Sequence, residues 1–336
     1  MEKSTIKERL VSQEETSKEE NRNHEIIKLQ ESQEQDKNQE ELEQKAGFVA
    51  VVGRPNAGKS TLLNFLADYK LAMVSKKAQA TRKRMNIIIM HKNTQFIFVD
   101  TPGIHQKEKL LNQFMLEEAL KALGDSDLHL FLAPVNDPIS HYEEFLKLRK
   151  NKDIPHIVLL TKVDRVDNKR VLDKLREYSK YANEFKAIIP FSVKKGGVTR
   201  EQLLDELAKY MPKHPWLYDP ELLTTENIRD IYKELIREAI FEKLSDEIPY
   251  ESDVIIEKVD EKENLDVVSA SIIVEKETQK RMIIGKGAES IKRVGMYARK
   301  AMQEFSGKKI HLDLHVKVKK GWSKNKEFLE DLGYIF

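Results

Sequence analysis

The sequence predicts an α/β domain with a mixed, mostly parallel six-stranded sheet, followed by a smaller α+β domain. The strongest evidence is a complete G-x-x-x-x-G-K-[ST] phosphate loop at residues 53–60, between an apolar run and a helical pattern. Up to about residue 211, short apolar runs alternate with helical patterns, which is typical of parallel strands covered by helices on both faces. Beyond residue 226 the predicted order changes to α-β-β-α-β.

The first domain is predicted to alternate strands with helices. Its predicted strands are Phe48–Val52, Asn86–Met90, Gln95–Asp100, Leu128–Ala133, His156–Thr161 and Ala187–Phe191. Its helices are predicted to begin near Gly58, Lys107, Ser140, Asn168 and Thr199. The segment from Met211 to Pro220 contains three prolines and is predicted to be a linker. We therefore place the first domain at residues 46–211, the linker at 212–225 and the second domain at 226–336.

The second domain combines helical patterns with three strand patterns. Its predicted helices are Glu226–Leu244, a helix that follows the turn Gly285–Ala288 and ends at Phe305, and a short one over Lys324–Leu332. Its predicted strands are Val254–Val259, Asp266–Glu275 and Lys309–Lys319.

Charge is segregated along the chain, although the formal net charge is only +2. Residues 1–45 carry a net −5, contain no aromatic Phe, Trp or Tyr, and are predicted to form a disordered or partly helical tail. Residues 281–326 contain thirteen Lys/Arg and three Asp/Glu, which indicates a polyanionic partner. The absence of cysteine excludes disulfides, thiol catalysis and cysteine-bound metal, and fits a cytoplasmic protein. No apolar run is long enough to predict a transmembrane helix.

The phosphate loop is predicted to hold a nucleoside triphosphate. Gly53 and Gly58 let backbone N–H groups close around phosphate oxygens, and the following helix adds its dipole. Lys59 has the length to reach the outer phosphates. The loop residues predicted to contact the nucleotide are Gly53, Asn56, Ala57, Gly58, Lys59, Ser60 and Thr61. The alternative is a chance glycine turn between a strand and a helix.

Ser60, Thr81 and Asp100 are predicted to hold Mg²⁺. Asp100 ends an apolar strand in Asp100-Thr101-Pro102-Gly103, where it can reach the metal through water, and the Gly103 N–H can approach the γ-phosphate. Thr81 lies in the basic segment 75–84, which is of the kind that orders around γ-phosphate and Mg²⁺. For the Lys and Arg residues of that segment, the alternative is a solvated surface.

The predicted base is guanine. Thr161-Lys162-Val163-Asp164 ends another strand, and the Asp164 carboxylate can accept two hydrogen bonds from guanine that adenine cannot donate. Thr161 stands where Asn is usual, and the Lys162 stem can cover the base. Ser192 and Val193, after the last strand, are predicted to bring backbone N–H groups to the guanine oxygen.

Together these motifs resemble the Era GTPases over about residues 47–336. The resemblance rests on Gly53–Ser60, Gln79–Arg82, Asp100–Gly103 and Thr161–Asp164, and in the second domain on Glu247–Tyr250, Ile284–Gly287, Ile291–Lys292 and Val316–Trp322. It implies a Ras-like G domain followed by a type II KH domain that binds the 3′ end of 16S ribosomal RNA and checks maturation of the 30S subunit. We expect a monomer, and the resemblance adds peripheral contact with the inner membrane in some members.

The KH loop is expected to clamp the RNA backbone at a helix N-terminus, with nearby cations adding electrostatic attraction. The predicted RNA-binding residues are Gly285, Lys286, Gly287, Lys292, Arg293, Lys317, Lys319 and Lys320. For any single lysine, the alternative is a solvated surface charge. Ala288 replaces the last glycine of the loop, at a cost on the order of 1 kcal/mol if that position needs positive φ.

The predicted catalytic residues are Lys59, Thr81 and Gly103, and the predicted reaction is slow GTP hydrolysis. Ile104 stands where many GTPases place a water-orienting Gln, so water must be ordered by other groups. Asn56 resembles relatives in which Asn helps to hold K⁺, which makes K⁺ a second candidate cation beside Mg²⁺. The open alternatives are an ATPase, a GTPase of another class or acting on another RNA, and an RNA-binding module with a nearly inactive G domain.

Overall fold

The computed structural model describes residues 44–69, 72, 81–102, 110–194, 197–245 and 247–334. The predicted N-terminal tail lies almost wholly outside this part of the chain. The larger sheet has the strand order β2-β3-β1-β4-β5-β6, and every neighbouring pair is parallel except β2–β3. Its strands are β1 Lys45–Val52, β2 Met85–His91, β3 Thr94–Asp100, β4 Leu128–Pro134, β5 His156–Thr161 and β6 Ala187–Phe191. The predicted mostly parallel six-stranded sheet is confirmed.

Helices cover both faces of this sheet. They are α1 Lys59–Ala67, α2 Leu110–Gly124, α3 Ser140–Leu148, α4 Asn168–Tyr178 and α5 Arg200–Ala208. Alternate residues of β1 point to opposite faces, so Val51 packs in the cluster of α1 and α5, whereas Val52 packs in the cluster that contains Phe145 of α3. The start of α2 predicted near Lys107 lies outside the described residues. This layered packing brings the carboxyl ends of the parallel strands to one edge, where ligands bind in folds of this kind.

The proline-rich segment after α5 is held against the sheet. Gln95 of β3 is fully buried, and its side-chain oxygen accepts hydrogen bonds from the backbone N–H groups of Leu217 at 2.8 Å and Tyr218 at 3.0 Å. Further along, the backbone N–H of Ile88 donates to the carbonyl of Leu223 at 2.9 Å. The segment thus follows the β2 side of the sheet before the chain enters the second unit.

The second unit is a three-stranded sheet in the order β7-β8-β9, with β7–β8 antiparallel and β8–β9 parallel. Its strands are β7 Ser252–Glu261, β8 Leu265–Val274 and β9 Lys309–Val318. Its helices are α6 Ile228–Lys243, α7 Glu277–Ile284, α8 Glu289–Ser306 and α9 Lys326–Asp331. Each helix in the described part of the chain is too short or too polar to span a lipid bilayer.

Helix α7 adds an element to the predicted α-β-β-α-β order. It has eight residues, and among its apolar residues only Ile283 is buried, so its sequence carries little helical periodicity. It ends at Gly285, whose φ of 71° is a conformation that favours glycine. The glycine turn therefore connects two helices, α7 and α8.

Candidate functional site

The phosphate loop joins β1 to α1 and needs glycine at two points. Gly53 has φ 155°, and a Cβ there would lie 2.9 Å from the carbonyl oxygen of Leu132. Gly58 has φ 108° and caps the N-terminus of α1. The buried Lys59 ammonium lies inside the curve of the loop, where it donates to the carbonyls of Gly53 and Arg54 at 3.2 Å each. The predicted strand–loop–helix context is therefore present.

Ser60, Thr81 and Asp100 converge at the end of β3. The Ser60 hydroxyl donates to Asp100 Oδ2 at 2.9 Å, and Thr81 Oγ1 lies 3.3 Å from both Ser60 Oγ and Asp100 Oδ2. The other carboxylate oxygen, Asp100 Oδ1, is buried and has no hydrogen-bond partner among the described residues. Two hydroxyls and a carboxylate with an unsatisfied oxygen form a donor set of the kind that Mg²⁺ prefers.

Burial acts on the two charged groups of this site in opposite directions. It raises the pKa of Asp100 to about 6, although Lys59 and the hydrogen bonds from Ser60 and Thr81 oppose the shift. It lowers the pKa of Lys59 to about 8, although Asp100 opposes that shift. Both groups are thus short of stabilising charge, and a divalent cation beside Asp100 with an anion beside Lys59 would supply it.

The end of β5 is tied to the phosphate loop. Thr161 Oγ1 donates to the carbonyl of Ala57 at 3.0 Å, and Lys162 Nζ donates to the carbonyl of Asn56 at 2.5 Å. The Thr161 hydroxyl thus fixes the phosphate loop to the end of β5, next to the predicted base-recognition residues.

Asp164 is held in place from β6. Its Oδ1 accepts a hydrogen bond from the Ser192 hydroxyl at 2.7 Å, and this bond is the main reason why the pKa of Asp164 is lowered. Ser192 Oγ in turn accepts from the backbone N–H of Lys194 at 3.1 Å. Val193 is exposed beside them. The Ser192 hydroxyl thus orients the Asp164 carboxylate.

Arg54 and Asp137 form an ion pair at the phosphate loop that the sequence did not predict. The Arg54 guanidinium contacts Asp137 through Nε and Nη2, with Nη2 2.6 Å from Asp137 Oδ1, and the pair raises the pKa of Arg54. This fork braces the phosphate loop against the segment after β4. Asp137 belongs to no recognised motif, so only the fold reveals the pair. Gly103, Ile104, Gln79 and Ala80 lie outside the described residues.

The glycine turn between α7 and α8 has three residues with positive φ, Gly285, Gly287 and Ala288. Gly287 and Ala288 adopt φ 59° and 62°, so the alanine lies in the left-handed region. A Cβ at Gly285 would lie 2.6 Å from Ser290 Oγ, which explains the glycine there. Lys286 is exposed at the turn, as are Lys292 and Arg293 on the first turns of α8.

The lysines after β9 have mixed surroundings. Lys317 forms an ion pair with Glu257, and the Lys319 ammonium lies 3.3 Å from the ring centre of Phe328. Lys320 is exposed. All six predicted RNA-binding Lys and Arg residues are exposed, and Arg293, Lys317 and Lys319 also contact other side chains.

Comparisons with known proteins agree with both units of the chain. Residues 48–162 match the family model described as "50S ribosome-binding GTPase", and residues 247–323 match the KH domain model. GTPase Era of Helicobacter pylori strain G27 is 52% identical, over 88% of this chain and 98% of its own. The chain belongs to the Era family of GTPases. GTPase Era of Campylobacter hominis is 49% identical, over 87% of this chain and 100% of its own.

Solved Era structures extend the agreement to the fold. An Aquifex aeolicus Era variant bound to GDP·AlF4⁻ has a TM-score of 0.82 at 32% identity. An Era chain in complex with MgGDPNP and nucleotides 1506–1542 of 16S ribosomal RNA has a TM-score of 0.83 at 32% identity. Each match covers 87% of this chain and 100% of the solved Era chain. The predicted architecture, a P-loop G domain followed by a KH domain, is confirmed.

The bond between Thr161 and the phosphate loop makes a prediction for nucleotide affinity. Thr161→Val keeps the shape of the side chain but leaves the Ala57 carbonyl without its donor, so we expect the affinity for GDP to fall by about 5- to 30-fold, equivalent to about 1–2 kcal/mol. Titration with fluorescent GDP measures this. Thr199→Val is the control. Thr199 caps α5, so its substitution should lower the free energy of unfolding but leave the affinity for GDP unchanged. Equal GDP affinity in Thr161→Val and wild type would show that this hydrogen bond does not support nucleotide binding.

The left-handed alanine makes a prediction for stability. Ala288→Gly should raise the free energy of unfolding by about 0.5–1 kcal/mol, because removal of about 1–2 kcal/mol of strain outweighs the extra chain entropy of glycine. Urea denaturation measures the change. Ala301→Gly, in the middle of α8, is the matched control and should lower stability by about 1 kcal/mol or more. A loss of stability in Ala288→Gly would contradict the strain argument.

Proposed function

We propose that this Era-family GTPase binds the 3′ end of small-subunit ribosomal RNA through its KH domain and acts in maturation of the 30S subunit, using GTP and Mg²⁺. The observation that carries the proposal is the similarity to the Era chain solved with MgGDPNP and nucleotides 1506–1542 of 16S ribosomal RNA, since it extends over the whole of that chain. The G domain spans residues 46–211, a linker spans 212–225, and the KH domain spans 226–336 in this proposal.

Each residue of the nucleotide site then has a defined task. The loop from Gly53 to Thr61 surrounds the phosphates with N–H groups, and Lys59 neutralises charge at the outer phosphates. Ser60, Thr81 and Asp100 hold Mg²⁺, which when bound offsets the charge of the β- and γ-phosphate oxygens. The unsatisfied Oδ1 of Asp100 supports this assignment. Gly103 lies outside the described residues, and its backbone N–H keeps the predicted role of approaching the γ-phosphate. Because the next residue, Ile104, cannot orient water by hydrogen bonding, we expect a slow intrinsic rate.

Asn56 is the proposed ligand for K⁺. It lies in the phosphate loop at φ 62°, and its backbone carbonyl accepts from Lys162. A monovalent cation there would add positive charge near the phosphates, in the manner of an arginine finger. Equal GTP turnover in KCl and NaCl would refute this assignment.

Asp164 determines the base in this proposal. Xanthine has a carbonyl in place of the exocyclic amine of guanine, so an Asn amide would suit it better than a carboxylate. Asp164→Asn should weaken GTP binding by about 150- to 25,000-fold, because two charge-assisted hydrogen bonds are worth about 3–6 kcal/mol, and should shift preference toward XTP. Competition of GTP, XTP and ATP against fluorescent GDP measures this.

Asp167→Asn is the matched control for that experiment. Asp167 caps α4 by accepting from the backbone N–H of Arg170, and Asn caps a helix equally well. We expect Asp167→Asn to leave the affinities for GTP and XTP unchanged. If Asp164→Asn retains wild-type preference for GTP over XTP, the guanine assignment is wrong. Competition by ATP as strong as by GTP in the wild-type protein would favour the ATPase alternative.

RNA binding is assigned to the basic surface around the glycine turn. Residues 281–326 carry a net +10, and cations that neutralise phosphates release counterions, which makes affinity steeply dependent on salt. Lys286, Lys292 and Arg293 are exposed at the turn and on the first turns of α8, and Gly285 and Gly287 allow close backbone approach. Lys317, Lys319 and Lys320 form the second part of the surface.

The choice of the small subunit follows from the KH domain. The family model that names the 50S ribosome matches only residues 48–162, within the G domain. The chain solved with 16S ribosomal RNA is similar to this one over both units. The predicted monomer, the cytoplasmic location and the contact with the inner membrane stay predictions.

Cross-linking of the protein to RNA in cells, followed by mapping of the cross-linked sites, tests the proposal. We expect enrichment at the 3′ end of 16S ribosomal RNA. Lys286→Gln should lower the enrichment and reduce the slope of log affinity against log salt by about 1 in vitro. Lys300→Gln, an exposed lysine elsewhere on α8, is the matched control. Enrichment on 23S ribosomal RNA, or no difference between the two variants, would overturn the assignment.

A further inference from the structure

Arg82 reaches from the G domain into the KH unit. It follows Thr81 directly, and its side chain is only 3% exposed. Its Nη1 donates to the carbonyl of Ser252 at 2.9 Å, and its Nη2 donates to the carbonyls of Pro249 and Tyr250 at 3.1 Å each. Two of the sequence motifs that identify the family, Gln79–Arg82 and Glu247–Tyr250, therefore meet at this one side chain.

The receiving site for Arg82 is a built, buried cluster around Asp253. Asp253 is fully buried, and its Oδ2 lies 3.3 Å from Arg82 Nη1 and accepts from the Tyr334 hydroxyl at 2.5 Å. Its Oδ1 lies 3.7 Å from both Lys233 Nζ and Arg237 Nε of α6. Burial alone would raise the pKa of Asp253, but Lys233, Arg82 and Arg237 outweigh it and hold the pKa below its usual range.

This arrangement fixes the backbone next to a proposed metal ligand. Adjacent Cα atoms are about 3.8 Å apart, so a clamped Arg82 leaves Thr81 little freedom. Thr81 Oγ1 lies 3.3 Å from Asp100 Oδ2, at the edge of the Mg²⁺ site. The guanidinium has a planar, forked set of donors, and the three carbonyls together with the carboxylate engage both of its terminal nitrogens.

We infer that Arg82 is a positioning residue for GTP hydrolysis, and that the carbonyls of Pro249, Tyr250 and Ser252 hold it so that Thr81 stands at the Mg²⁺ site. The inference rests on the proposed role of Thr81 as a metal ligand. It makes the KH domain part of the nucleotide site. By linkage, ordering of Thr81 by Mg²⁺ and nucleotide strengthens the docking of Arg82 by the same factor.

The test measures the Mg²⁺ dependence of binding of a fluorescent non-hydrolysable GTP analogue, together with kcat and KM for GTP. In Arg82→Ala we expect the Mg²⁺ concentration at half-saturation to rise, and kcat to fall, by about 10- to 100-fold, the usual effect of removing a group that orients a metal ligand. GDP affinity in EDTA should not change. Arg82→Lys should restore part of the loss, because one ammonium cannot span both sets of acceptors.

Arg84→Ala is the matched control. Arg84 lies two residues further along, and its guanidinium pairs with Glu118 and Asp125 at 3.5 Å, within the G domain. We expect its Mg²⁺ dependence to equal that of wild type. If Arg82→Ala matches Arg84→Ala in Mg²⁺ dependence and kcat, the inference is wrong.

A folding measurement and two variants, Arg82→Lys and Thr81→Ala, keep the outcomes distinct. Circular dichroism establishes whether Arg82→Ala folds; because Asp253 keeps Lys233 and Arg237, we expect that it does. If Arg82→Ala does not fold, Arg82→Lys becomes the deciding variant. Binding that depends on Mg²⁺ as in wild type would then overturn the inference. Thr81→Ala tests the underlying proposal: if it leaves Mg²⁺ dependence unchanged, the metal role of Thr81 fails. If Thr81→Ala weakens Mg²⁺ binding and Arg82→Ala does not, the inference alone fails.

Discussion

The buried carboxylate of Asp100 is the group on which the nucleotide site depends. It lies at the carboxyl end of β3, next to β1 and the phosphate loop that follows, and two hydroxyls contact the same oxygen. A charge in this position is unfavourable without compensation, and Lys59 supplies only part of it. The site is therefore preorganised for a cation and a polyanion together, and the parallel strands supply the rigid frame that this requires.

The motifs predicted this part of the structure well for a physical reason. Three motifs define this site: the phosphate loop, the Asp at the end of β3 and the Thr-Lys-x-Asp at the end of β5. Each depends on a local backbone geometry that few sequences can provide, so the local sequence is enough to locate it. Contacts between distant segments carry no such pattern. The Arg54–Asp137 pair, the burial of Gln95 against the linker and the meeting of Arg82 with Asp253 appear only when the sheet brings remote residues together.

Helix α7 and the lysines after β9 illustrate the same limit in the KH domain. A short helix with one buried apolar residue has almost no periodicity, so packing and the Gly285 turn define it. Lys317 and Lys319 look alike in sequence, but one pairs with Glu257 and the other covers Phe328. Ala288 is the reverse case: it stands where the family loop has glycine, which left open whether the position needs positive φ, and the structure has φ 62° there. Backbone strain of this kind persists only where the surrounding structure over-determines the conformation.

The G domain and the KH unit contact each other through a buried ion-pair cluster around Asp253. A buried ion-pair network stabilises a fold little, since the desolvation of each charge offsets most of the attraction, and apolar residues would often do as well. What charges provide is specificity: a guanidinium accepted by three carbonyls and a carboxylate fits in one orientation, whereas an apolar contact can slide. Lys233 and Arg237 of α6 also lie 3.7 Å from Asp253, so the receiving site is built partly from charges of the KH unit itself. An arrangement of this kind therefore holds Arg82 in one defined geometry.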